Sequence, residues 1–235
     1  MAFERLRPGW PSNRRLSAFV AGMAVLWVVV GSPLSTLDHA LLTFHMVQHL
    51  LLMTVAAPLI LWGGSGDTIR NPKPTGLARR VAYGVPAFCW IVGTGVVMVW
   101  HVPAAHQLGM CSPWWHAIQQ ASFLAGGLLF WWPVMGSGGS SDPSTRGFVP
   151  LYLFLATLPC DALSAFLAFC GRVVYPSHHS ASMPFSLSPL QDQECAGALM
   201  WFWVTIAYLV PAIVVTVRML SPSAALATDP GHASL

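Results

Sequence analysis

Runs of apolar residues long enough to cross a bilayer dominate the pattern along this chain. They fall near Leu16–Leu34, Leu41–Trp62, Val81–Trp100, Trp114–Met135, Val149–Cys170 and Ala196–Leu220, each close to the ~20 residues that ~30 Å of hydrocarbon demands of a helix. Between them lie clusters of turn-forming residues: GGSGD after the second run, GSGGSSDPS after the fourth and YPSHHSASMPFSLSPL after the fifth. Gly, Ser and Pro in such density end helices and belong outside the apolar slab. The pattern predicts an all-α polytopic transmembrane bundle of six helices, one integral membrane domain over residues 1–235. Pro58, Pro86, Pro133, Pro159 and Pro211 fall inside the runs, where each removes a backbone donor and predicts a kink.

Composition agrees. The chain is 55% hydrophobic and 8% charged, with a mean hydropathy of +0.61, whereas soluble domains carry about 25% charged residues. The basic residues set the orientation, because Lys and Arg are retained on the cytoplasmic side during insertion. Arg5, Arg7, Arg14, Arg15, Arg70, Lys73, Arg79, Arg80, Arg146 and Arg218 share one side of the predicted topology, leaving only Arg172 on the other. Both termini are therefore expected in the cytoplasm. The net charge of +3 reads as a topological signal and not as a nucleic-acid-binding surface. The basic N-terminal segment followed by an apolar run resembles a signal peptide, but without a clear small-x-small cleavage site it reads as a retained span.

This topology gives the histidines meaning. His39, His45, His49, His101, His106, His116, His178 and His179 fall on the non-cytoplasmic side, and only His232 does not. His45 and His49 stand at i, i+4 and share a helix face; His101 ends the third span and His116 begins the fourth. Imidazoles are costly in hydrocarbon, so their convergence points to a shared ion or a buried polar network. His45, His49, His101 and His116 are the candidate metal ligands. Neutral imidazole suits copper, zinc, iron and nickel, and the softer donors Met46, Met53, Met98, Met110 and Cys111 tilt the choice toward Cu(I), although Met53 and Met98 read better as core packing than as ligands. His39, His106, His178 and His179 read as solvated loop residues.

Residues that could orient those ligands are Gln120, one turn after His116; Asp161, the carboxylate inside the fifth span; and Asp192, at the start of the sixth. Asp161 reads equally as a proton relay or as a hydrogen-bonding group at the break made by Pro159. Asp192 is placed to cap its own helix. Cys89, Cys111, Cys160, Cys170 and Cys195 contain no CxxC pair, which argues against a thiol copper site. A Cys170–Cys195 disulfide is open to the chain on the oxidising side.

Four motifs in order, HMVQHLLLMTVAAPLILWGG from His45, WHVP from Trp100, HAIQQASFLAGGLLFWWPVM from His116 and DQECAGALMW from Asp192, resemble the CtaG-like cytochrome c oxidase assembly family of polytopic membrane proteins. The resemblance implies a multi-pass protein of the bacterial inner (plasma) membrane that helps mature a haem–copper oxidase. Its partners would be oxidase subunits and a periplasmic copper donor, and it would be no enzyme. His45, His49, His101 and His116 match the family's histidines, and Asp192 matches its DQ motif. Gln120 stands where a second histidine is common, and His106-Gln107 where Tyr-Asp is common. The expected function is copper binding at an outer-leaflet histidine site and delivery to an oxidase subunit. The alternatives are a haem-binding membrane cytochrome, with axial ligands drawn from different spans, and a proton-coupled metal transporter using Asp161 and the histidines.

Overall fold

The computed structural model describes residues 13–31, 38, 40–64, 76–137, 143–176 and 187–220, with the side chains of 76–84, 137, 143–146 and 218 excepted. The described regular structure is entirely helical: α1 (Asn13–Gly31), α2 (Leu42–Gly64), α3 (Gly76–Trp100), α4 (Pro103–Cys111), α5 (Pro113–Ser137), α6 (Pro143–Phe169) and α7 (Pro189–Leu220). Each predicted run falls on one long helix, with ends displaced by a few residues. α1 packs on α2, α3 on α5 and α6 on α7, while α2 also meets α5 and α7.

The expectation of six spans is met only in part. Asn13–Gly31, Leu42–Gly64, Gly147–Phe169 and Pro189–Val217 are long and apolar enough to cross a membrane, and Val85–Trp100 with Pro103–Cys111 makes a fifth if that pair, bent by 77°, counts as one. The 25 residues of α5 have the length, but His116, Gln119 and Gln120 dilute the apolar character of its first turns. Those polar groups point into the bundle, where a hydropathy pattern cannot distinguish a buried site from a helix that stays out of lipid.

The surface is inverted relative to a water-soluble protein. Trp27, Phe88, Ile91, Phe154, Phe202 and Leu220 are exposed, while Asp38, His45, Gln48, His49, Gln119 and Gln193 are buried. Lipid-solvated bundles show this arrangement because polar groups find partners only inside. Helices approach closely through small residues: a Cβ on Gly63 would lie 2.5 Å from the Phe19 backbone nitrogen, and one on Gly197 would lie 2.7 Å from that of Ala168. At the end remote from the histidines, Phe130 anchors an aromatic core, its ring 5.6 Å from Trp131, 5.0 Å from Tyr152 and 5.2 Å from Tyr208.

Of the prolines, Pro58 has a clear local consequence. It follows a π turn at Leu52–Ala56, where the Ala57 N–H reaches back to Leu52 O. A proline clashes with the carbonyl four residues earlier, and widening the turn relieves that clash. Neighbours occupy the polar groups of the distorted turn: Trp131 Nε1 donates to Met53 O at 2.8 Å and Trp203 Nε1 to Thr54 Oγ1 at 2.8 Å.

At the opposite end, three sets of side-chain hydrogen bonds lock the helix termini. Ser188 caps α7 in a reciprocal box, accepting from Gln191 N at 3.3 Å while Ser188 N donates to Gln191 Oε1 at 2.8 Å. Asp192 is thereby free of the capping role expected for it on its own helix. Instead it caps α2: Oδ2 accepts from Leu42 N at 2.6 Å, and Oδ1 accepts from Thr43 N at 3.2 Å and Thr43 Oγ1 at 2.7 Å. Gln193 closes the end of α6, donating to Leu167 O at 3.2 Å and Arg172 O at 3.0 Å and accepting from Val174 N at 2.6 Å. The chain leaves α6 through Gly171, whose φ of 64° lies in the left-handed region that glycine adopts without strain. The Cys170–Cys195 disulfide is not formed; all five cysteines are free thiols, with Cys195 exposed. The hydrogen bonds of Gln193 take the stapling role a bridge would have played.

Candidate functional site

The residues that matter are brought to one end of the bundle by the starts of α2, α5 and α7 and the end of α3. In WHVP, Pro103 restricts Val102 to an extended conformation (φ −66°, ψ 128°) and begins α4 at its first turn. The 77° bend lays α4 across the bundle end, and Gly109 seats it against Gln119, where a Cβ would come within 2.7 Å of Oε1. His106 is carried inward by this bend. Read from sequence as a solvated loop residue, it is 2% exposed, with its ring 4.9 Å from that of His45 and 4.4 Å from that of Tyr175.

His45 is buried beside Asp38: its Nδ1 lies 2.5 Å from Asp38 Oδ1. The carboxylate only accepts, so Nδ1 carries a proton; Nε2 faces the Gln119 amide nitrogen at 3.5 Å, and in the neutral ring it accepts there. His116, partly exposed, has Nε2 at 3.1 Å from Asp38 Oδ2 and 2.8 Å from Gln120 Nε2. Gln120 in turn donates to Gln48 Oε1 at 2.6 Å. Asp38, Gln48 and Gln119 were not singled out from sequence. Asp38 stands seven residues before His45 in the sequence, and a carboxylate near a candidate ligand is the signal that could have found it.

His101 and His49 lie on the other flank of the cluster. His101 Nδ1 donates to Val97 O at 2.7 Å, leaving the Nε2 lone pair 3.4 Å from Met46 Sδ. Tyr175 braces the same turn by donating its hydroxyl to His101 O at 2.7 Å. Burial, reinforced by Cys170 nearby, raises the Tyr175 phenol above its ordinary value, so it remains a neutral donor. His49 is 4% exposed, and neither of its ring nitrogens has a hydrogen-bond partner. Its ring packs 3.9 Å from Phe123, 4.0 Å from His45 and 6.3 Å from His101. Buried polar groups are nearly always paired, so two unmatched nitrogens on one imidazole call for an explanation.

The four sequence-predicted histidines thus gather at one depth but in two groups. His45 and His116 are bound to Asp38 and the glutamines, whereas His49 and His101 border a small cavity. Among the described residues, no three His, Cys, Asp or Glu side chains are arranged to hold a metal ion by themselves. Gln120 joins the network directly. Asp192 acts on it by fixing the first turn of α2. Asp161 stands apart, its Oδ1 meeting Thr205 Oγ1 of α7 at 3.5 Å. His39, His178 and His179 lie outside the described residues.

This is a helical protein of the multi-pass membrane class, with a polar, histidine-rich centre buried at one end of its bundle. The chain matches the cytochrome c oxidase caa3 assembly factor family (Caa3_CtaG) over residues 1–221 and belongs to that family. Curated relatives include uncharacterised proteins of Mycobacterium bovis and Mycobacterium tuberculosis, each 24% identical over 242 residues, covering 94% of this chain and 35% of the relative. A Mycobacterium leprae protein is 24% identical over 237 residues, 90% of this chain and 34% of its own length. The chain therefore spans about a third of the length of the curated relatives it matches. No solved structure matches it.

Proposed function

We propose that this protein takes up copper at the histidine end of its bundle and passes it to a subunit of a haem–copper oxidase, as a non-enzymatic assembly factor. The observation that carries this reading is His49, a buried imidazole with both nitrogens unmatched, set between two histidines in the tautomer a metal ligand needs. A ligating histidine typically donates its other ring N–H to a carboxylate or carbonyl; His45 does so to Asp38 and His101 to Val97 O. Imidazole and thioether donors suit copper. The adjoining cavity, about 20 Å³, fits one small ion or water and is far too small for a porphyrin, which favours copper over a haem. The separation of Asp161 from the histidines gives no support to a proton-coupled transport path.

In this reading the chain is one integral domain of six spans in a bacterial plasma membrane, with α3 and α5 completing the set and both termini cytoplasmic. The histidine end then faces the compartment from which a copper donor would deliver. His116, partly exposed beside the buried Asp38, is the member of the cluster that an acceptor subunit would meet first. The test is copper content by mass spectrometry of detergent-purified protein incubated with Cu(I) under reducing conditions. One copper per chain is expected, lost in the His45→Ala/His49→Ala variant. No copper in either folded protein would overturn copper carriage and leave the histidines as a structural network within an oxidase scaffold.

A further inference from the structure

The cavity beside His49 is lined by His49, His101, Met46, Met53, Met200 and Cys160, among other residues. These side chains come from α2, α3, α6 and α7, so the concentration of soft donors is a product of tertiary packing. Met200 and Cys160 belong to runs that the sequence marks only as apolar. We propose that His49, His101 and Met46 form an imidazole–thioether site for one soft monovalent cation, Cu(I), with Met53 and Met200 lining the cavity beneath it. This deepens the proposed copper role, on which it rests, by assigning the ion's oxidation state and its sulfur ligand.

Three observations converge. His101 Nε2 carries a lone pair and lies 3.4 Å from Met46 Sδ, so two donor atoms already face each other with no hydrogen between them to make a strong bond. His49 supplies an imidazole whose nitrogens are unmatched. Its ring centre is 6.3 Å from that of His101, at the ~6.4 Å reached when two imidazoles hold one ion from opposite sides through nitrogen bonds of about 2.0 Å, so Met46 would approach that ion from the side. Finally, no three His, Cys, Asp or Glu side chains among the described residues are grouped to hold an ion, and Met46 Sδ is the further donor atom that stands beside His101 Nε2.

Charge selects the ion. Asp38 is engaged by His45 and His116, Asp192 by the α2 terminus, and Asp161, next in sequence to the lining residue Cys160, by Thr205. A cavity walled by neutral side chains pays the Born penalty of its guest, which grows with the square of the charge and is about fourfold larger for a divalent ion. Soft thioethers add a preference for Cu(I) over Zn(II). Both arguments favour the same ion.

The decisive experiment is copper K-edge X-ray absorption on the purified protein loaded with Cu(I), alongside Cu(I) affinity by chelator competition and Zn(II) binding under the same conditions. The expected spectrum shows both nitrogen and sulfur scatterers in the first coordination sphere of copper. Met46→Leu, nearly isosteric and tolerable in a core, should remove the sulfur contribution and weaken Cu(I) at least tenfold; His49→Ala should weaken it likewise. Met98→Leu, outside the cavity lining, should do neither, and Zn(II) should bind far more weakly than Cu(I). Copper bound by nitrogen and oxygen alone, unaffected by Met46→Leu, would overturn this site while leaving copper carriage intact. No copper bound by the folded wild type would overturn both. Should Met46→Leu fail to fold, selenomethionine labelling of the wild type replaces it: a copper–selenium scattering path supports the site, and its absence overturns it.

Discussion

Replacing Asp192 with alanine should destabilise the bundle by uncapping a different helix from the one that carries it. The carboxylate accepts from Leu42 N at 2.6 Å and from Thr43 N at 3.2 Å, the first free N–H groups of α2. The residue preceding them, Leu41, offers no side-chain cap. Hydrogen bonds to a charged group contribute about 1.5–3 kcal/mol, and a buried donor left unmatched costs about 1–3 kcal/mol. Leu42 is fully buried, so its donor takes the full penalty. Thr43 is only partly buried and its hydroxyl retains the Asp192 carbonyl at 3.2 Å, so its share is smaller. The sum is about 2–4 kcal/mol. Asp192→Asn keeps one acceptor oxygen for Leu42 and offers its amide to Thr43 Oγ1, limiting the loss to about 1–2 kcal/mol. Unfolding in mixed micelles, followed by tryptophan fluorescence, measures the difference. The cap lies less than one turn before His45, so copper stoichiometry in Asp192→Ala should fall along with stability. An alanine variant within about 0.5 kcal/mol of wild type, a change typical of an inert surface site, would refute the assignment; so would asparagine as damaging as alanine.

Two further perturbations probe the frame and the cluster. Gly127→Ala should lower stability by about 1–3 kcal/mol, because the added Cβ would stand 2.9 Å from Met53 Cα and 3.0 Å from Ala57 Cβ, pushing α5 off the π turn; the same unfolding assay checks it, and a neutral result would show that the two helices yield. Asp38→Asn should weaken Cu(I) binding by less than the about 10- to 100-fold that follows loss of a ligand's own orienting partner, since the carboxylate holds His45 and His45 packs 4.0 Å from the His49 ring; chelator competition reads this directly, with unchanged affinity placing Asp38 outside the copper function.

The sequence by itself determined where the helices run and that histidines collect at one end. Both are local or one-dimensional properties: an apolar run of sufficient length must satisfy its backbone within itself, and alternation of spans sorts loop residues to one side or the other. Only the tertiary structure decided what each polar residue does there. His45 and His49 share a helix face, yet one is bound to Asp38 and the other borders a cavity. His106 turns inward because the chain bends by 77° at Pro103, and Asp192 caps α2 while Ser188 caps α7. Met200 and Cys160 become soft donors beside His49 only through the rotation of α6 and α7. The α6–α7 pairing is set by the close contact at Gly197, and the α2–α5 pairing by Gly127 beside the widened turn before Pro58. Hydropathy carries no record of helix rotation, because lipid-facing and cavity-facing positions of a membrane helix are both predominantly apolar.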